Sequence, residues 1–124
     1  MSANKMPARL IVVEDSFPIA HSLKSMLQTM SCDVVGMAGD IRRALDLVAT
    51  VGFDLALLDI DLHGEHVGAV ADAVLQLGKP VIFLSGYGDA DILPRHLRSL
   101  PLLEKPVDPD ALFAAIAVAL TSRT

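Results

Sequence analysis

The chain has 124 residues, 52% of them apolar and 20% charged, with four phenylalanines, one tyrosine, no tryptophan and a formal net charge of −5. That length suits one domain with a real core and leaves no room for a second, while the apolar share argues against disorder. The acid excess repels polyphosphate backbones and few rings are available to stack on bases, which argues against nucleic acid as a direct partner.

Beyond the short Arg42-Arg43 pair no basic cluster stands out. Cys32 is the only cysteine, so no internal disulfide can form. The N-terminal stretch offers only a four-residue apolar run before an acidic pair, too short for a signal peptide or a membrane span. A soluble cytoplasmic protein with no membrane partner is expected, with residues 1–124 forming one unit and residues 1–7 loose.

In chain order, LIVV (10–13) is a short continuous aliphatic run that ends on Glu14 and Asp15. Such runs mark strands buried on both faces of a parallel sheet. Ile19, Leu23, Met26, Leu27 and Met30 then recur at steps of three and four, the period of a helix with one apolar stripe. CDVVGMAG (32–39) alternates poorly and carries glycines, which suits an edge strand.

Ile41, Ala44, Leu45 and Val48 give a second helical stripe, LALL (55–58) a third strand, and Val67, Val70, Ala71 and Val74 a third helix. VIFL (81–84) is a fourth strand and PLLEKP (101–106) a short fifth one stopped by proline. Between them, Pro94 sits inside DADILPRHLRSL (89–100), where it must break or restart a helix, so a short helix from about Pro94 is expected. The last helix starts at Asp108 as N-cap with Pro109 behind it and runs to about Leu120.

Strand and helix alternating five times predict an α/β fold. It is a five-stranded parallel sheet, doubly wound as (βα)5, with helices on both faces. Ligands of such sheets bind outside the carboxyl ends of the strands. Glu14 and Asp15, Asp59, Ser85, and Glu104 with Lys105 fall at that end of four separate strands. Clustered carboxylates repel one another unless a cation joins them, and Mg²⁺ fits because it prefers oxygen ligands and needs few of them. One carboxylate could then attack a phosphoryl group whose oxygens need positive charge and a donor, for which Lys105 and Ser85 are suited.

The segments IVVEDS (11–16), DLALLDIDLHG (54–64), VIFLSGYGD (81–89) and LLEKPV (102–107), in this order, resemble the receiver domain of two-component response regulators over nearly the whole chain. The resemblance implies a flavodoxin-like fold with strand order 2-1-3-4-5 and a phosphoprotein of a phosphorelay, not a turnover enzyme. Asp59 would accept a phosphoryl group from a sensor histidine kinase or phosphotransfer protein. Glu14, Asp15 and Asp59 would hold Mg²⁺ together with the backbone carbonyl of Asp61. Ser85 and Lys105 would contact the phosphate, and the side chains of Asp61 and Tyr87 would tune its lifetime. The Lys105-Pro106 bond is a candidate for cis geometry, which proline makes accessible.

Three positions depart from the family pattern. Leu102 stands where an aromatic is common, so an inward-swinging ring cannot be the switch, and His63 replaces a common proline. Pro94 interrupts the fourth helix, in a region through which receivers signal together with the fifth strand and fifth helix; phosphorylation is expected to reorganise residues 86–100. With no output domain in sight, the signal must leave by contact with a downstream protein.

On the last helix, Leu112, Ile116 and Ala119 can face the sheet, which leaves Phe113, Ala117 and Leu120 for a partner or a homodimer. His21, His63, His66 and His96 lack metal-ligand spacing and read as surface residues, and Cys32 as a small buried or edge residue. Two other functions compete. A haloacid dehalogenase-like phosphatase would use Asp59 and Asp61 as its paired acids, but its second acidic pair should follow the lysine, whereas Glu14 and Asp15 precede Asp59. A phosphorylation-independent binding module of the same fold is the other, and no residue needed for the chemistry is missing.

Overall fold

The computed structural model describes residues 7–62, 65–86 and 89–121, the side chains at 89 and 90 excepted. Five parallel strands form the main sheet: β1 (Arg9–Val13), β2 (Asp33–Ala38), β3 (Leu55–Asp59), β4 (Val81–Ser85) and β5 (Leu102–Glu104). Their order across the sheet is β2-β1-β3-β4-β5, so the expected 2-1-3-4-5 arrangement is present and β2 lies at an edge.

Strand side chains alternate between two cores, as a period of two requires. Ile11, Val13, Ala56, Leu58, Val81 and Phe83 face one side, where α2 (Ile41–Thr50) contributes Ala44 and Val48 and α3 (Gly68–Gln76) contributes Val70, Ala71 and Val74. Leu10, Val12, Leu55, Leu57, Ile82 and Leu84 face the other. There α1 (Phe17–Thr29) supplies Leu23 and Leu27, and α4 (Pro109–Thr121) supplies Leu112, Ile116 and Ala119, the stripe expected to meet the sheet. Cys32 is free and buried in this second core.

Local signals start the helices. The Ser16 side chain accepts from the Ile19 amide at the head of α1, Asp40 from the Arg43 amide at the head of α2, and Asp108 from the Ala111 amide at the head of α4. In α2 the expected Leu45 is exposed, and Leu47 packs on the core instead. Gly36 of β2 makes room for it, since a Cβ there would lie 2.9 Å from Leu47 Cδ2. Gly78 has φ +75°, the left-handed conformation that ends α3.

The expectation of five helices is corrected between β4 and β5. Among the described residues this connection has no α-helix: it forms two 3-10 turns, Asp89–Ile92 and Arg95–Leu97. Pro94 precedes the second turn with ψ 152°, an extended value that no helix continues through. The short helix expected from Pro94 therefore starts in the right place but is a single 3-10 turn. Leu93 and Leu97 anchor the segment in the core, and the Arg98 guanidinium donates to the Leu93 and Asp91 carbonyls at 2.8 and 3.1 Å.

At the amino end of the sheet, Arg9 and Asp54 are joined three times. The Arg9 amide donates to Asp54 Oδ2 at 2.8 Å, the Asp54 amide to the Arg9 carbonyl at 2.7 Å, and the side chains pair at 3.7 Å. At the carboxyl end the chain leaves β3 into a small antiparallel ladder, Asp61–Leu62 with Glu65–His66, which the sequence pattern does not announce.

Candidate functional site

The parallel register brings the strand-end residues together. Val13 stands beside Leu58, so Glu14 and Asp15 leave β1 next to Asp59, while Asp59 pairs with Leu84 and Ser85 with Glu104. Glu14, Asp59 and Ser85 are the buried polar side chains among the described residues. Asp15 is half-buried, and carboxylate oxygens of Glu14, Asp15 and Asp59 lie within 4.8 Å of one another.

Lys105 reaches into this group from the end of β5. Its Nζ is 3.0 Å from Glu14 Oε1 and 3.0 Å from Asp59 Oδ2. The Lys105 amide donates to the Ser85 carbonyl at 2.8 Å, which holds the lysine beside β4, and the Lys105-Pro106 peptide is cis. Burial disfavours the ammonium, but its contacts with Glu14 and Asp59 outweigh that and raise the Lys105 pKa. Burial also pushes the Glu14 carboxyl up to about 7; Lys105 and the Ser16 amide oppose the rise and Asp59 adds to it.

One ammonium among three acids leaves the cluster short of positive charge. Glu14 Oε1 in particular is buried and receives no well-directed hydrogen bond, although the ammonium stands near it. A buried carboxylate oxygen whose nearest donor is poorly aligned is incompletely satisfied, which is costly. Hard oxygen donors, a half-open acid and an orphaned oxygen fit a divalent cation such as Mg²⁺. Among the described residues, Glu14, Asp15 and Asp59 could hold it.

The remaining sequence-predicted residues divide. Ser85 is buried at the site, and its hydroxyl donates to the Gly86 carbonyl at 2.8 Å. Asp61 is exposed, and its amide donates to Asp59 Oδ1 at 3.2 Å, so it reaches the site through its backbone. Tyr87 and His63 lie outside the described residues. His96 pairs with Asp72 at 2.8 Å on the surface, and His21 packs on the exposed Phe17 ring at 4.4 Å. Sequence reasoning missed Ser16, whose amide donates to Glu14 Oε2 at 3.1 Å. It also missed Glu65, whose carboxylate accepts from the Ile41 amide at 3.3 Å. Ser16 could have been found as the N-cap of α1, whereas a contact spanning 24 residues leaves no local signal.

Comparison with known proteins places this geometry. Residues 10–117 match the family of the response regulator receiver domain. The transcriptional regulatory protein PdtaR of Mycobacterium tuberculosis is 25% identical over 119 residues, covering 94% of this chain and 58% of that protein. The phyllosphere-induced regulator PhyR of Methylorubrum extorquens is 27% identical over 121 residues, covering 95% and 45%. The chain thus spans about half the length of the curated relatives it matches.

Among solved structures, SdrG from Sphingomonas melonis Fr1 superposes with TM-score 0.83 at 32% identity, covering 94% of this chain and 98% of that one. The receiver domain of Erythrobacter litoralis PhyR does so with TM-score 0.80 at 27% identity, covering 95% and 93%.

Proposed function

The chain belongs to the response regulator receiver family, and from that premise we propose that Asp59 is its phosphoacceptor, charged by a sensor histidine kinase or a phosphotransfer protein. The observation that carries this reading is the Lys105 ammonium bridging Asp59 and Glu14 at 3.0 Å each. It sets a positive charge directly against the buried side chain of Asp59. Its oxygen attacks the phosphorus of the incoming group, the bond from phosphorus to the donor breaks, and an acyl phosphate remains on Asp59.

Bound Mg²⁺, held by Glu14, Asp15, Asp59 and the Asp61 carbonyl, would neutralise charge on the phosphoryl oxygens. Lys105 pairs with the same oxygens once Asp59 is phosphorylated. The Ser85 hydroxyl, which bonds Gly86 in the present state, turns to a phosphoryl oxygen and releases that carbonyl. This release carries the signal into residues 86–100, and the Asp61 and Tyr87 side chains set how long the phosphate lasts.

The described residues all belong to one fold, so the signal leaves through its surface. The face formed by the 3-10 turns, β5 and α4 is the proposed exit to a downstream protein. The exposed Phe113 on α4 offers a further contact for that protein or for a second copy of the chain. The family match leaves the phosphatase alternative without support. No described helix is long and apolar enough to cross a membrane.

Incubation with a small acyl phosphate and Mg²⁺ should add one phosphoryl mass, labile at high pH, to the wild type and none to Asp59→Asn. Asp61→Asn should still be phosphorylated, with an altered lifetime. An unmodified wild type, or incorporation that survives Asp59→Asn, would overturn the assignment.

A further inference from the structure

A closed ring of contacts runs around the acidic site. From Asp59 it passes to the Asp61 amide at 3.2 Å and into the small ladder, where Asp61 faces His66 and Leu62 faces Glu65. Glu65 Oε1 then accepts from the amide of Ile41, the first residue of α2, at 3.3 Å. Immediately before α2 the backbone returns to the acids. Gly39 lies against the β1–α1 turn, where a Cβ would make ordinary contact at 3.8 Å with both Asp15 Cα and the Glu14 carbonyl oxygen, and the Glu14 amide donates to the Ala38 carbonyl at 2.9 Å. Glu14 and Asp15 meet Asp59 again across the site.

Among the described residues, the Glu65 side chain carries this ring from the ladder to α2. Its role is not ordinary capping. The head of α2 already has Asp40, adjacent in sequence, accepting from the Arg43 amide at 2.8 Å. Glu65 comes from 24 residues away to take a further unpaired amide of the first turn. A carboxylate at that end of a helix is favoured by the helix dipole, so the contact is directional and charge-assisted.

The ladder's other anchors act in depth: Leu62 and Val67 are buried in the core beneath it. They fix its height over the sheet, and Glu65 fixes its lateral position relative to the turn that bears Glu14 and Asp15. We infer that Glu65 is a positioning residue for the phosphorylation site: by tying the ladder to α2 it sets the spacing between Asp59 with the Asp61 backbone and the Glu14-Asp15 pair. This rests on the reading of Asp59 as phosphoacceptor and of the acids as a Mg²⁺ site.

The test compares the wild type with Glu65→Ala and Glu65→Gln in two measurements. Backbone amide exchange without metal reads the tether, and a Mg²⁺ titration followed by amide chemical shifts reads the site. Glu65→Ala should speed exchange at Ile41 and Asp61 and raise the half-saturating Mg²⁺ concentration roughly two- to tenfold, the range expected of one hydrogen bond. Glu65→Gln keeps the acceptor oxygen but not the charge, and should lie nearer the wild type than Glu65→Ala does in both.

Unchanged exchange and Mg²⁺ affinity in Glu65→Ala would overturn the inference. So would a Glu65→Gln as impaired as Glu65→Ala, because the effect would then be charge and not position. If instead the wild type itself shows no Mg²⁺ response removed by Asp15→Asn, it is the site assignment that fails, and amide exchange still decides the tether.

Discussion

Three of the four connections between neighbouring strands in the chain are α-helices of 13, 10 and 9 residues, while the one from β4 to β5 is two 3-10 turns of four and three residues. The helices hold themselves in place by continuous apolar stripes. The turns have two buried leucines, Leu93 and Leu97, and the Arg98 guanidinium on two carbonyls. Few anchors mean a low cost of local opening, and elements that move in a switch come from that end of the stability range. The contrast teaches that the proposed signal enters at a buried strand end, Asp59, and leaves through a segment whose described residues are held by separate anchors and not by a helical stripe.

The largest way to break that contrast is Leu97→Ala. Leu97 is fully buried against α3, near Gly68, so the variant should cost about 2–5 kcal/mol in urea unfolding. Exchange protection should fall across residues 89–100 first; uniform loss over all connections would mean the turns are no weaker than the helices. A pH effect should act on the opposite pole. Glu14 has a folded pKa of about 7 against an ordinary value of 4.5, so the folded state holds a proton that the unfolded chain releases. Its contribution is complete below pH 4.5 and lost as pH rises through about 7, up to roughly 3 kcal/mol without metal. Thermal unfolding of Glu14→Gln should lack that slope, and residues 89–100 should exchange alike on both sides of it.

Smaller still, Arg98→Ala removes two bonds to backbone carbonyls and should cost about 1–2 kcal/mol, confined to the same segment. Its phosphorylation by a small donor should match the wild type, whereas coupling between Asp59 and the segment should weaken. The smallest effect belongs to His96→Ala. The His96–Asp72 pair ties the second turn to α3, but both side chains are about half exposed, and the change should stay below about 1 kcal/mol and shrink further in high salt.

How much was legible beforehand follows the same division. The strands could be read because parallel strands buried on both faces need unbroken aliphatic runs, and their ends then named Glu14, Asp15, Asp59, Ser85 and Lys105. Helix faces were mostly legible, with Leu45 mistaken for Leu47 because both fit the period and only Gly36 across the gap decides between them. Pro94 showed that a helix must break, but not that 3-10 turns would remain, since their stability comes from Leu93, Leu97 and Arg98 acting from separate positions. The ladder at 61–66 and the reach of Glu65 were invisible for a related reason: two-residue strands have no periodicity, and a tertiary hydrogen bond leaves no trace in local composition.

The Arg9–Asp54 triple contact at the far end of the sheet bears on what kind of machine this is. Both ends of that contact belong to the roots of the neighbouring strands β1 and β3, so these strands cannot slide past one another without breaking two backbone-directed bonds and an ion pair. A push delivered by the proposed phosphorylation at Asp59 would therefore meet strands tied together behind it. On the proposed reading, displacement would then pass sideways into the loops at the carboxyl end of the sheet, as in a relay whose contacts move while its frame stays bolted down.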